Sequence, residues 1–457
     1  MSEGSFRPNS PDATIVALST PPGRSGIGVV RLSGPRAHSI LEEVFRSGET
    51  AADRRVRYGM LEAPGGEAID QVVATTFRGP DSYTGEDVVE ISAHGNPLIL
   101  NKISDVLVGL GACRAAPGEF TLRAVVNGKI DLAQAEAVRD FIDAQTDVQA
   151  RTAMNQMNGA LANKVRPMKE ALVDVIAQLE AGIDFAEDDV ELPDGELVAG
   201  RVGTIEDSLA GLAASFSYGR LLHEGVLLAI TGKPNVGKSS IFNRLTSIDR
   251  AIVTEIPGTT RDVVTETVEL DGIPIRVADT AGVRTASDEI ESIGISRTIE
   301  TLAEADLTLA VFDSSESLDE DDRNLLERVR EIPHLIVVNK RDLPSCWEGL
   351  NGRPEVHLSA KTGEGFDGLR ECIREYLTDQ RPPDAESVVV TSARQAEALV
   401  RAAGRLRTGA SGLRSGVPHE MILLDLYGAL SALGELTGEV VTDDILGRIF
   451  STFCIGK

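Results

Sequence analysis

Hydrophobic and polar positions change their spacing three times along the chain. Up to about residue 128 the apolar residues come in short runs broken by Gly, Pro and charge. Thr14–Leu18, Gly28–Leu32, Arg55–Met60, Ile69–Phe77 and Asp87–Ala93 predict strands, and 36–46 and 97–110 predict helices. This mixture is an α+β domain. From residue 129 the pattern turns helical and rich in Ala, Gln and Leu. Asp131 and Gln134 have the spacing of a capping box. Pro167 is expected to kink or end the helix it falls in, and a second helix runs over 169–180. The stretch 180–196 is dense in Asp and Glu and broken by Gly182, Pro193 and Gly195, so it reads as an exposed loop before helical pattern over 197–224.

The third spacing begins at Val226. Val226–Thr231, Ile273–Ala278, Leu307–Phe312, Leu335–Val338 and Val356–Leu358 are compact apolar runs separated by helix-length segments. Buried strands alternating with helices give an open α/β domain. Val263–Leu270, Asp271-Gly272 and the following run form a hairpin signal, so the sheet is mixed with one antiparallel edge. Arg381-Pro382-Pro383 marks a junction, and 392–408 and 419–436 are helical again. Neither helical part buries its apolar face alone. The simplest arrangement packs the two together with the α/β domain inserted between them. The boundaries read 1–128, 129–225, 226–380 and 381–457.

Composition narrows the partners. The 457 residues carry a net charge of −26, unlike a non-specific polyanion binder, so RNA binding needs a local patch or a partner. Cys113, Cys346, Cys372 and Cys454 are scattered without C-x-x-C spacing, which argues against a disulfide scaffold. No cationic-then-apolar leader opens the chain and no apolar run is long enough to span a bilayer, so a cytoplasmic protein without a membrane partner is expected.

The chemistry centres on Gly232-Lys233-Pro234-Asn235-Val236-Gly237-Lys238-Ser239, a phosphate-binding loop between a strand and a helix that begins with Ser240. Gly232 and Gly237 let the backbone curl so that amides point at phosphate oxygens, and the helix N-terminus adds positive potential. Lys238 reaches the β- and γ-phosphates, and the Ser239 hydroxyl suits Mg²⁺. Downstream, Thr254-Glu255-Ile256-Pro257-Gly258-Thr259-Thr260 makes a loop near the γ-phosphate, with Thr260 a second Mg²⁺ ligand. Asp279-Thr280-Ala281-Gly282 ends a strand, where Asp279 faces Mg²⁺ through water and Gly282 turns its amide to the γ-phosphate. Asn339-Lys340-Arg341-Asp342 supplies a carboxylate for the N1–H and exocyclic amine of guanine, an edge adenine lacks, and Ser359-Ala360-Lys361 closes over the base. The four motifs in this order indicate GTP. Val283 follows Gly282 where Ras-type GTPases use Gln to orient water, so another group must do that work.

Other polar residues stay open. Arg31 and Glu90 lie inside strand runs and can face solvent or a ligand. His94 has no Cys or His partners nearby in sequence, which argues against a metal site. The G-x-G-x-x-G pattern at Gly23 to Gly28 is only partial and lacks a βαβ setting, so no flavin loop is expected.

Several stretches outside the nucleotide motifs carry a resemblance. Pro21-Pro22-Gly23-Arg24, Tyr83-Thr84-Gly85-Glu86-Asp87, Pro117-Gly118-Glu119-Phe120-Thr121, Asp131-Leu132-Ala133-Gln134-Ala135-Glu136 and the tail Phe453-Cys454-Ile455-Gly456-Lys457 are similar to the bacterial MnmE (TrmE) family of tRNA modification GTPases, over essentially the whole chain. The resemblance implies an N-terminal domain that binds tetrahydrofolate and forms the homodimer, a helical domain, and an inserted GTPase domain. It implies a heterotetramer with the flavoprotein MnmG (GidA), with FAD and NADH entering only through that partner. The pair would install a carboxymethylaminomethyl or aminomethyl group at C5 of the wobble uridine, U34, of certain tRNAs. The carbon would come from a 5-formyl or methylene tetrahydrofolate. By resemblance, Arg31, Glu90, Lys129 and Lys457 are folate contacts, and Asn235, Thr254, Ile256 and Thr259 are K⁺ contacts. Glu291 is the glutamate that orients water, with Lys238 as its catalytic companion. Asn96 stands where the family usually carries a second glycine after His94-Gly95, a local departure. Cys454 is either a nucleophile for C6 of the pyrimidine or a residue that shapes the folate pocket. A GTPase of ribosome assembly and a folate-binding scaffold with incidental nucleotide turnover are the alternative readings.

Overall fold

The structure is a computed structural model that describes residues 8–47, 56–184, 194–248, 265–270, 272–279, 304–350, 354–378, 388–439 and 443–456. It contains two compact units. The first combines Met1–Arg139, Gln156–Pro193 and Val417–Lys457, and the second Asp140–Asn155 and Asp194–Gly416.

The first unit is built on strands β1 (Ile15–Leu18), β2 (Ser25–Ser33), β3 (Phe45–Arg46), β4 (Val56–Glu62), β5 (Ala68–Phe77), β6 (Val88–Gly95) and β7 (Cys113–Arg114). They form one sheet in the order β3-β4-β5-β6-β2-β1-β7, antiparallel except for β1 with β7. Alternation decides its two faces. On β2, Val30 and Leu32 turn into the core with Val89 and Ile91 of β6. The helices Ala37–Val44 and Pro97–Gly109 close that face with Ile40, Leu41, Ile103 and Leu107. Arg31, between Val30 and Leu32, points to the opposite face, directly across from Glu90. The helix expected over 36–46 ends at Val44, because Phe45 and Arg46 pair with Leu61 and Met60.

The helical part of this unit starts as the sequence indicates. Gln134 N donates to Asp131 Oδ1 at 2.7 Å and Asp131 N to Gln134 Oε1 at 2.9 Å, a reciprocal cap. Pro167 departs from its expectation, since one helix runs through it from Ala160 to Asp184. Proline removes a single intrahelical bond. Burial of Leu161 and Val165 before it, and of Leu172, Val175, Ile176 and Leu179 after it, offsets that loss against the helix His419–Thr437.

The second unit holds β8 (Val226–Gly232), β9 (Thr265–Leu270), β10 (Ile273–Asp279), β11 (Leu307–Asp313), β12 (His334–Asn339) and β13 (Glu355–His357). Their order is β13-β12-β11-β8-β10-β9, parallel except for the β9–β10 hairpin. Every residue of β11 is buried, as a central strand requires. The carboxyl ends of β8, β11 and β12 deliver Gly232, Asp313 and Asn339 to one rim, where a parallel sheet places ligands. The helices Gly195–Ala214 and Ala393–Arg414 pack along each other in this unit. Asp194 caps the first, accepting from Glu196 N at 3.1 Å. The expected helical stretch over 197–224 divides at Ser215, whose hydroxyl donates back to the Leu212 carbonyl at 2.6 Å, and the next helix is Phe216–Glu224. Among the described residues, no helix is long and apolar enough to cross a membrane.

Candidate nucleotide site and the tail-binding face

The phosphate loop leaves β8 and returns into the helix Lys238–Ile248. Gly232 has φ +154, and a Cβ there would lie 2.4 Å from the Val311 carbonyl oxygen. Gly237 has φ +98, and its Cβ would lie 2.2 Å from Asn339 Nδ2. Both positions therefore need glycine for space as well as for conformation. Asn235 takes φ +66 without being glycine, a conformation asparagine tolerates better than most residues. Val236 turns its side chain into the core, 2% exposed, so only its backbone belongs to the site.

Lys238 is buried, and its ammonium donates to the Gly232 and Lys233 carbonyls at 2.8 and 2.7 Å. The amine thus crosses the mouth of the loop it serves. Gly232, Asn235, Gly237, Lys238, Ser239 and Ser240 line an open cavity of about 730 Å³, with Asp321 and Arg328 on the far wall. Lys233 leans away, bonded to Asp319 at 2.7 Å and Asp322 at 2.8 Å. Its own desolvation works against its charge, but the two carboxylates outweigh it and raise its pKa. Hydrogen bonding to Lys233 holds Asp319 down at about 2.

The base-recognition motifs join the phosphate loop through one amide side chain. Asn339 Nδ2 donates to the Val236 carbonyl at 2.8 Å, while Asn339 Oδ1 accepts from Ala360 N at 2.9 Å. Asn339 is 2% exposed, so both bonds are made out of water. Lys340 takes φ +65 and pairs with Asp313. Burial alone would raise the Asp313 pKa, but Lys340 and Ser315 more than compensate and keep it ionised. Ser359 Oγ donates to Asp342 Oδ1 at 2.6 Å, which lowers the Asp342 pKa and fixes the carboxylate beside Ala360 and Lys361. Asp342 therefore presents a charged acceptor at the place the sequence assigns to guanine.

Asp279 ends β10 beside Ile230 of β8, at the same rim. Thr254, Glu255, Ile256, Pro257, Gly258, Thr259, Thr260, Thr280, Ala281, Gly282, Glu291 and Lys457 lie outside the described residues.

In the first unit Arg31 and Glu90, left open by sequence, pair with each other beside the C-terminal tail. Arg31 Nε donates to Glu90 Oε1 at 2.9 Å, and Arg31 Nη2 lies 2.8 Å from the same oxygen. Its guanidinium carbon lies 5.9 and 5.8 Å from the ring centres of Tyr83 and Phe120. Ser19 Oγ donates to the Gly456 carbonyl at 3.1 Å, and Arg31 Nη1 reaches it at 3.5 Å. Gly456 has φ +98, and a Cβ would sit 2.2 Å from the Leu18 carbonyl oxygen. The Pro117-Gly118 stretch receives the tail, with Ile455 bridged to Pro117 and a Gly118 Cβ position 2.9 Å from Phe453 Cβ. Lys129 Nζ donates to the Pro80 carbonyl at 2.9 Å. Cys454 is exposed and uses its carbonyl to accept from Gly118 N at 3.4 Å. His94 is exposed, and its Nδ1 lies 2.7 Å from Asp70.

Sequence reading missed two parts of this arrangement. Tyr83 Oη, 2.9 Å from Thr121 Oγ1, belongs to the Arg31 cluster, and only its place in a distinctive stretch hinted at that. Arg244 grips the Ala360–Thr362 loop, and nothing in its spacing signals it.

The comparisons with known proteins cover the whole of this arrangement. The family model "GTP-binding protein TrmE N-terminus" matches residues 14–129, and "MnmE helical domain" matches 132–454. The tRNA modification GTPase MnmE of Koribacter versatilis is 48% identical over 454 residues, covering 98% of this chain and 99% of its own. That of Aquifex aeolicus is 41% identical over 447 residues, covering 97% and 99%. Among solved structures, the G domain of the T. maritima FeoB iron transporter is 29% identical, covering 33% of this chain and 98% of its own, with a TM-score of 0.26. With both family models and near-full-length relatives in agreement, the chain belongs to the MnmE (TrmE) family of tRNA modification GTPases.

Proposed function

We propose that this GTPase is stimulated by K⁺ and acts with a flavoprotein partner on C5 of the wobble uridine of certain tRNAs. The observation that carries the nucleotide half is the Asn339 link between the phosphate loop and the Ala360 loop, with Asp342 fixed beside it. The domains read as 1–128 for folate binding and dimerisation, 129–225 and 381–457 as the helical parts, and 226–380 as the GTPase domain. Mg²⁺ suits the Ser239 hydroxyl, which lines the phosphate cavity, together with Thr260. K⁺ suits Asn235, whose left-handed backbone lies in the same lining, with Thr254, Ile256 and Thr259. When bound, the K⁺ would supply the positive charge that other GTPases take from an arginine finger. Lys238 needs no rearrangement of its helix to exchange its two carbonyl partners for phosphate oxygens.

A tetrahydrofolate fits the other half. The Tyr83 and Phe120 rings, the Arg31–Glu90 pair and Lys129 offer aromatic contact with both donors and acceptors. The Gly456 carbonyl is held at that face by Ser19 and Arg31. The folate supplies the one-carbon unit, and the partner's FAD and NADH supply redox chemistry. Cys454 keeps both of its readings, as nucleophile and as part of the pocket wall. A homodimer and a heterotetramer with the partner, working in the cytoplasm, complete the proposal.

Wobble-uridine analysis of tRNA from a deletion strain tests it. Loss of the C5 substituent is expected, with recovery on complementation. Unchanged C5 modification would leave ribosome assembly or folate scaffolding as the better account.

Asp342→Asn tests the base assignment. The substitution reverses the donor–acceptor match at C2 of the base, so GTP binding should weaken and xanthosine nucleotides should gain. Loss of one charge-assisted pair costs roughly 1.5–3 kcal/mol. Equal GTP affinity in both proteins by calorimetry would remove Asp342 from the site.

A further inference from the structure

We propose that Arg244 is a positioning residue for base selection, holding the guanine-side loop from behind and so setting the preference for guanine over adenine. The proposal rests on the GTPase reading of the nucleotide site and adds a determinant outside its motifs.

Arg244 lies six residues after Lys238 on the same helix, about 9 Å along its axis. Its Nη1 donates to the Ala360 carbonyl at 3.3 Å and reaches that of Lys361 at 3.5 Å, and its Nη2 donates to the Thr362 carbonyl at 3.1 Å. One planar, permanently charged group therefore gathers three consecutive carbonyls. The guanidinium carbon lies 5.5 Å from the Phe366 ring centre, so the aromatic face sets its plane. Gly363 makes room for it. Gly363 has φ +91, and a Cβ there would lie 2.0 Å from Arg244 Nη2. A glycine that is both left-handed and in near contact with the guanidinium leaves the loop and the arginine no independent positions.

The loop held in this way sits next to Asp342 through Ser359. Asp342 reads the N1 and C2 edge of guanine, and the other difference between the bases is at C6. Guanine offers an acceptor there and adenine a donor. A loop beside Asp342 must stay close and ordered to meet that acceptor. Asn339 ties the loop's first amide to the phosphate loop, and Arg244 ties its next three carbonyls to the phosphate-loop helix. Ile241, Phe242 and Leu245 bury the other side of that helix, so Lys238 and Ser239 keep their place without Arg244. Removing the guanidinium should therefore loosen the base side and spare the phosphate side.

The test uses full-length protein with Mg²⁺ and K⁺, as wild type, Arg244→Met and Arg244→Lys. Steady-state kinetics give kcat and KM for GTP, and kcat/KM for ATP at high enzyme concentration. Arg244→Met is expected to raise KM for GTP about 10–100-fold, the scale for charge-assisted bonds, with kcat little changed. The kcat/KM for ATP should stay the same, so the GTP-to-ATP preference falls by that factor. Arg244→Lys keeps the charge but not the fork, and should recover part of the preference. An unchanged KM for GTP, or equal losses with GTP and ATP, would overturn the proposal. If Arg244→Met does not fold, Arg244→Lys decides by the same two ratios. Failure of the underlying reading looks different, because wild type would then show no preference for GTP at all.

Discussion

Replacing Gly237 by alanine is expected to weaken GDP binding about 10²–10³-fold while leaving the two units folded. The left-handed conformation, φ +98, costs a non-glycine residue roughly 1–2 kcal/mol. The larger effect is steric. The new methyl carbon would stand 2.2 Å from Asn339 Nδ2, so the amide must turn away from the Val236 carbonyl. That carbonyl and the amide are then left without each other in a buried place, which costs roughly 1–3 kcal/mol. Because Asn339 also holds Ala360 N, the disturbance reaches the base side as well as the phosphate side. Together these span about 2–5 kcal/mol, and because the loop must regain its closed backbone to bind phosphate the cost falls on affinity, in the range of the stated loss. Calorimetry with GDP and Mg²⁺ measures it, and thermal unfolding shows whether the fold survives. Wild-type affinity in Gly237→Ala would mean that the loop does not close on phosphate in the way its backbone indicates.

The parts of this protein that were legible in its sequence are those whose chemistry is local. A phosphate loop must place glycines, lysine and serine within eight residues, so Gly232, Gly237, Lys238 and Ser239 announce themselves. The sheet of the second unit was legible for a similar reason, since runs buried on both faces have a composition of their own. The Asp131–Gln134 cap follows from a three-residue spacing. What was hidden depends on distant partners. Arg31 and Glu90 read as strand charges of unknown direction until antiparallel register sets them opposite each other. Gly118 and Gly456 lie in stretches that carry the resemblance, but their sequence does not show that each is required by a close approach between the tail and segments more than three hundred residues earlier. Arg244 carries no sequence signal because its three acceptors lie more than one hundred residues away. Pro167 misled for the opposite reason, a local rule outweighed by burial along the rest of the helix.

The bond-breaking step provides the other large effect. Glu291→Ala is expected to leave GTP affinity nearly intact and to lower turnover about 10²–10³-fold, the scale for one lost positioned catalytic group. Val283 follows Gly282, and its side chain has no atom that can hold the attacking water. A carboxylate can do so, directly or through a second water, by accepting a hydrogen bond. It need not be a strong base, because the transition state of phosphoryl transfer is loose and gains little from early proton removal. On the proposed reading orientation is the task of Glu291, and charge stabilisation that of Lys238 and the cations. Asp288 and Glu289, three and two residues before Glu291, serve as controls and should matter much less when replaced. Single-turnover hydrolysis in saturating K⁺ separates the step from nucleotide exchange, and calorimetry with a non-hydrolysable analogue follows binding. A slow variant that still binds fixes the role to the chemical step. A wild-type rate in Glu291→Ala would assign the water to backbone groups or to the second subunit.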